Sequence, residues 1–211
     1  MKKVPYRSAI GSLMYLATCT RPEISYAVSV CASYMHNPGR VHWNAVKGIL
    51  AYINLTNDRG LIFGGNQTDE MKDAVYLYAD ADHAGNLDNR RSRTGYVTML
   101  NGGAVSWKTK LQERTSISST EAEYYAASEA FGEAKWFRMF LAELNLHQNG
   151  PTVILEDNQS CISLSQNPVH QYRTKQIDIR HHQLREAVKY REISLEYIAT
   201  SEQVADALCI N

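Results

Sequence analysis

Four acidic residues stand where predicted elements begin or end, and carboxylates are the side chains that hold hard divalent cations through oxygen. Asp80 follows Val75-Tyr76-Leu77-Tyr78-Ala79, Glu123 follows Ser118-Ser119-Thr120-Glu121-Ala122, Asp157 follows Val153-Ile154-Leu155-Glu156, and Asp206 lies within Val204-Ala205-Asp206-Ala207. A carboxylate at the end of a buried strand is costly unless a cation or a hydrogen-bonded turn compensates. Three or four carboxylates with few bases among them suit Mg²⁺. Two such ions about 3.5–4 Å apart activate a water and stabilise the leaving oxygen in phosphodiester hydrolysis. Cys19, Cys31, Cys161 and Cys209 are widely spaced with no C-x-x-C pattern, so no Cys or His cluster competes for a softer metal. They read as free thiols of a reducing compartment.

Each acid also has a plainer reading. Asp82 suits an Asx-type bond that closes a turn with His83-Ala84-Gly85. Glu121 suits a capping box with Ser118, and Glu123 suits one with Thr120. Against the latter, Glu123, Ala126, Ala127, Ala130 and Ala134 share one helical face, whose small residues suit close packing on a sheet. Glu121 is rotated from that face by about 200°. Asp157 suits the cap of a following helix, and Asp206 suits a solvent-facing helical position.

The elements that would carry these acids divide at residue 64. Over 1–64 the pattern is helical: Tyr6, Ile10, Leu13, Met14 and Ala17 recur at helical spacing, and Thr20-Arg21-Pro22-Glu23 reads as a helix start with a Thr20–Glu23 capping box. A third helix near His42–Asn54 would bury Trp43, Val46, Ile49, Leu50 and Ile53. Over 65–211 strands dominate: Val75–Ala79, Arg93–Leu100, Ala104–Trp107, Pro151–Glu156 and Ile193–Ile198. Asn101-Gly102 joins the second and third as a tight hairpin. Helices are predicted over Glu121–Leu144, Asn158–Leu164, Ile177–Tyr190 and Ser201–Cys209. The order βββ-α-β-α-α-β-α predicts an α/β architecture, a mixed five-stranded sheet flanked by helices.

Composition bounds the class. Of 211 residues, 44% are hydrophobic and 21% charged, as in an ordinary globular protein and unlike a disordered one. No apolar run reaches about 18 residues, so no membrane span is expected, and no signal peptide is expected from the broken stretch after Met1-Lys2-Lys3. Acidic and basic residues balance at 22 each. Locally they do not: Arg90, Arg91, Arg93, Lys108, Lys110 and Arg114 face a single acid, Glu113, in that interval. Such a patch is either a phosphate-gripping surface or the solvated face of a hairpin.

The blocks resemble, in order, the C-terminal end of a copia-class retrotransposon polyprotein, namely its ribonuclease H domain preceded by the tail of the reverse transcriptase. Tyr6 to Leu16 with Thr20-Arg21-Pro22-Glu23-Ile24 is similar to the reverse-transcriptase end segment. Tyr78-Ala79-Asp80-Ala81-Asp82 with Arg90 to Tyr96, Val105 to Lys110, and Ser118 to Tyr124 are similar to the first ribonuclease H blocks. Glu156-Asp157-Asn158-Gln159, Arg173-Thr174-Lys175, Ile177 to Arg180, His182 and Val204-Ala205-Asp206-Ala207 continue the match. The resemblance implies a ribonuclease H-like fold over 65–211 behind a helical connection segment over 1–64. It implies a two-metal nuclease cutting the RNA strand of an RNA–DNA hybrid, with Mg²⁺ (or Mn²⁺ as a substitute) on Asp80, Glu123, Asp157 and Asp206. Asp80 is preferred to Asp82 because it directly follows the strand. Phosphate grips would come from Arg90, Arg91, Arg93, Lys108, Lys110, Arg173 and Lys175. The partners implied are the hybrid and the rest of a reverse transcriptase, in cytoplasmic retroelement particles or, for a domesticated copy, the nucleus, and not outside the cell. The alternative is a domesticated fragment that binds nucleic acid or protein without cutting.

The chain departs from the pattern in places. His83 stands where the family usually has Trp, and Gln176 where it usually has His. The loop Ala199-Thr200-Ser201 lacks the proton-shuttling His of related cellular enzymes. The short run Ala207-Leu208-Cys209-Ile210-Asn211 predicts a frayed last helix that holds Asp206 loosely.

Overall fold

The computed structural model describes residues 4–64, 73–86, 88–166 and 178–209. These fall into two compact units that divide between Leu61 and Ile62.

The first unit is helical. Helices α1 (Tyr6–Cys19), α2 (Ser25–Ser33) and α3 (Arg40–Leu55) bury one core of Tyr6, Ile10, Leu13, Ala17, Ile24, Val28, Cys31, Val46 and Ile49. The Tyr6 hydroxyl donates to the Cys31 carbonyl at 2.8 Å, which satisfies its one polar atom inside that core. Two expectations fail here. Pro22–Ile24 forms a 3₁₀ turn with no side-chain cap, because Arg21 instead takes Glu23 at 2.5 Å and donates to Thr56 Oγ1 at 2.6 Å. Leu50 is exposed while Trp43 and Ile53 are only partly buried, so the apolar stripe of α3 is narrower than its sequence.

The second unit is a mixed five-stranded sheet flanked by helices, the architecture the resemblance implies. Strands β1 (Val75–Asp82), β2 (Arg93–Leu100), β3 (Gly103–Leu111), β4 (Thr152–Glu156) and β5 (Ile193–Tyr197) lie in the order β3-β2-β1-β4-β5. The first three are antiparallel neighbours, and β1, β4 and β5 run parallel. Asn101 and Gly102 both take positive φ, 50° and 72°, as a two-residue hairpin needs, and Leu100 pairs with Gly103 across it. Helix α4 (Ser119–Glu143) lies along β1; α5 (Gln159–Gln166) and α6 (Asp178–Lys189) complete the cover. Leu77, Ala79 and Ile154 are fully buried in one core with Ala127, Ala130 and Ala134 of α4. Burying a side chain the size of Leu77 contributes about 1.5–3 kcal/mol.

Two elements differ from expectation. Strand β1 does not end at Ala79 but runs through Asp80 and Asp82, because β2 pairs with it as far as Asp82↔Arg93. The last helix is two 3₁₀ turns, Thr200–Glu202 and Val204–Leu208. The second is held and not frayed: Ala205, Leu208 and Cys209 are buried, and Thr109 Oγ1 donates to the Leu208 carbonyl at 2.6 Å.

Candidate metal centre

Parallel pairing sets the site. Tyr78 pairs with Leu155, so Asp80 and Asp157, each two residues further on, emerge side by side at the carboxyl ends of β1 and β4. Glu123 arrives from the first turns of α4. One carboxylate oxygen from each of Asp80, Glu123 and Asp157 lies within 4.8 Å of the other two.

The neighbouring acids have other work. Ser118 Oγ caps α4 by accepting the Glu121 N–H at 3.2 Å, while the Glu121 carboxylate accepts the Ile117 N–H at 2.8 Å. Asn158, not Asp157, caps α5, accepting the Cys161 N–H at 3.1 Å. Asp82 accepts the Arg93 N–H, and its Oδ2 lies 1.8 Å from where a Cβ on Gly85 would stand. It is committed to the turn, which separates it from Asp80.

Three contacts hold the trio. Glu123 Oε2 accepts the Ala81 N–H at 2.8 Å, Thr200 Oγ1 donates to Asp157 Oδ2 at 2.7 Å, and the Cys209 thiol donates to the Asp80 carbonyl at 3.2 Å. Asp80 Oδ2 is buried and has no hydrogen-bond donor among the described residues. Burial lifts the Asp80 pKa to about 6, with Asp157 and Asp206 adding repulsion and the Cys209 bond opposing it. Burial also drives Glu123 upward, with Asp80 and Asp157 adding to it. A buried carboxylate with an unpaired oxygen, grouped with two more carboxylates, is a donor set that fits a hard divalent cation.

Asp206 sits half-buried in the last 3₁₀ turn. It is close enough to raise Asp80 electrostatically but lies outside the 4.8 Å group.

The basic candidates divide. Arg90 and Arg91 are exposed on the β1–β2 loop. Lys108 pairs with Glu129 at 3.3 Å and Lys110 with Glu113 at 3.4 Å, both partly exposed. Arg93, also expected as a phosphate grip, is placed differently: it is 4% exposed, and its guanidinium donates toward Thr109 Oγ1 at 3.4 Å. Arg173 and Lys175 lie outside the described residues.

Three buried polar residues beside the site had no signal in the sequence. Glu156 is fully buried with Oε2 unpaired, its carboxyl driven up by burial and then by Glu123. Gln112 donates to Thr94 Oγ1 at 3.0 Å and to the Ala122 carbonyl at 3.1 Å, tying the start of α4 to β2. Gln203 reaches the ends of β1 and β4.

Comparison with known proteins places the chain. It is 48% identical over 208 residues, 99% of its length, to the "Retrovirus-related Pol polyprotein from transposon TNT 1-94" of Nicotiana tabacum, of which it covers 15%. It is 46% identical over 136 residues to the "Secreted RxLR effector protein 161" of Plasmopara viticola, covering 64% of this chain and 93% of that one. No protein-family model matches. Among solved structures, LC11-RNase H1, isolated from compost by a metagenomic approach, aligns over 65% of this chain and 93% of its own at 16% identity and a TM-score of 0.48.

Proposed function

We propose that this chain, which belongs to the retrovirus-related Pol polyproteins of transposons, acts as a ribonuclease H: a metal-dependent endonuclease that hydrolyses the RNA strand of an RNA–DNA hybrid. It spans about 15% of the length of the polyproteins it matches. The observation that carries the reading is the convergence of Asp80, Glu123 and Asp157, with a buried Asp80 oxygen that has no donor among the described residues. Left empty of cations, that arrangement costs free energy.

Asp80, Glu123 and Asp157 would hold the cation, with Asp206, from the last turn, as the fourth carboxylate of a two-ion set. Bound there, Mg²⁺ or Mn²⁺ would supply an activated water and stabilise the leaving oxygen. The chain's own residues position the strand. Arg90 and Arg91, exposed on the β1–β2 loop, offer phosphate contacts that fix register without reading sequence. Discrimination of hybrid rests on groove shape and the 2′-hydroxyls. Thr200, in the loop where related cellular enzymes carry a His, donates to Asp157 Oδ2 and so orients that carboxylate.

Asp80→Asn is the test. It keeps the shape and removes the charge, so the folded variant should lose cutting of a labelled hybrid by at least about a hundredfold. Wild-type rates in that variant would remove the proposal. A second reading, binding without cutting, is favoured by the position of Asp206 outside the tight trio. It predicts hybrid binding with no turnover in Mg²⁺ or in Mn²⁺.

A further inference from the structure

The parallel ladder between β1 and β4 closes at Tyr78↔Leu155, and beyond it β1 continues against β2 alone. At that fork one side chain is inserted. Gln203, 6% exposed, donates through Nε2 to the Ala79 carbonyl at 2.9 Å and the Leu155 carbonyl at 3.4 Å. Its Oε1 accepts the Ala205 N–H at 3.2 Å, capping the last 3₁₀ turn. Ala79 directly precedes Asp80, Leu155 lies two residues before Asp157, and Ala205 directly precedes Asp206.

We propose that Gln203 is the positioning residue of the metal centre, a single amide that fixes the β1 end, the β4 end and the terminal turn relative to one another. The assignment rests on the nuclease reading above. Only a primary amide of this length provides two donors and one acceptor to those three backbone groups. A carboxylate cannot donate, and an apolar chain leaves two buried carbonyls and an N–H unpaired. Residues that orient metal ligands without touching the metal set affinity through that orientation. Thr200 and Cys209, which flank Gln203 and contact Asp157 and the Asp80 carbonyl, belong to the same segment, so loosening the amide loosens both of these contacts with it.

The test uses the full chain and two variants, Gln203→Met, which keeps length and makes none of the bonds, and Gln203→Asn, which keeps the amide but falls short. Mn²⁺ is titrated by calorimetry well below the melting temperature, with Asp80→Asn as the control for binding at the centre. Gln203→Met should bind Mn²⁺ about 10–100-fold more weakly, and Gln203→Asn should fall between it and wild type. The hybrid KM should stay within about twofold while kcat falls. Cys209, buried beneath the turn, should become more reactive to a thiol reagent even without cation. If Gln203→Met does not fold, Gln203→Asn carries the comparison. A variant that melts lower yet binds Mn²⁺ as tightly as wild type makes Gln203 merely structural and overturns the assignment. Wild type that binds no Mn²⁺, or binds it equally after Asp80→Asn, overturns the nuclease reading and the role of Gln203 with it.

Discussion

Asp80 carries a carboxyl that the fold removes from water and leaves without a donor on Oδ2. Its folded pKa, lifted by burial to about 6, and the upward-driven Glu123 and Glu156 mean that the cation-free folded protein holds more protons than the unfolded chain above the ordinary carboxylate range. Stability of that form must then fall as pH rises from about 4 toward 6 for Asp80, and higher for the glutamates. The expected result is a melting temperature that drops between about pH 4.5 and 7 in chelator, with saturating Mg²⁺ cancelling the drop. A profile flat in chelator would contradict the burial cost assigned to this carboxyl. Arg90 and Arg91 make a separate prediction: each change to Ala should lower the salt slope of hybrid binding by about one and raise KM with kcat unchanged. Asp80 and Asp157 were legible because strand ends in a parallel sheet are neighbours, and Glu123 because its helical face is otherwise alanine. Glu156 and Gln203 were not. The Gln203 amide meets a carbonyl 124 residues away, and no local pattern encodes that burial.

Strands and turns decide which acid faces which neighbour. Asp82, for which a bond closing the turn with His83-Ala84-Gly85 was expected, instead accepts the N–H of Arg93, its partner where β2 extends the ladder. Gly95 pairs with Asp80 across the sheet, and a Cβ there would stand 2.5 Å from Cys209 Sγ and 2.8 Å from Leu208 Cβ. The sheet surface therefore needs glycine for the last turn to seat. Gly95→Ala should destabilise by about 1–3 kcal/mol through overpacking, seen as a lower urea midpoint, and should weaken Mn²⁺ binding by displacing the Asp206 turn. An unchanged midpoint would mean that the turn is not seated there in solution. The hairpin at Asn101-Gly102 and the long α4 could be read locally, since positive-φ residues and helical spacing are sequence-local signals. The 3₁₀ form of the last segment could not, because packing on β1 and β2 sets it.

Across the molecule, each unit has its own hydrophobic core, and the contacts divide at Leu61–Ile62. We expect a chain starting at residue 62 to melt cooperatively and to keep cation-dependent cutting of hybrid, which a truncation series read by calorimetry and cleavage would check. Loss of folding on truncation would show that the helical unit supports the sheet. The balanced total charge carries no information on this scale, whereas the run of bases from Arg90 to Arg114 and the acids at the strand ends could each be read locally. Ribonuclease H activity is decided by one assay: a labelled RNA strand presented in an RNA–DNA hybrid, alone, and in an RNA duplex, with Mg²⁺, with Mn²⁺ and with chelator. Of the three substrates only the hybrid should be cut, dependent on cation, stopped by chelator and restored by excess Mg²⁺. Cutting that survives chelator, or that proceeds equally on single-stranded RNA, would contradict it.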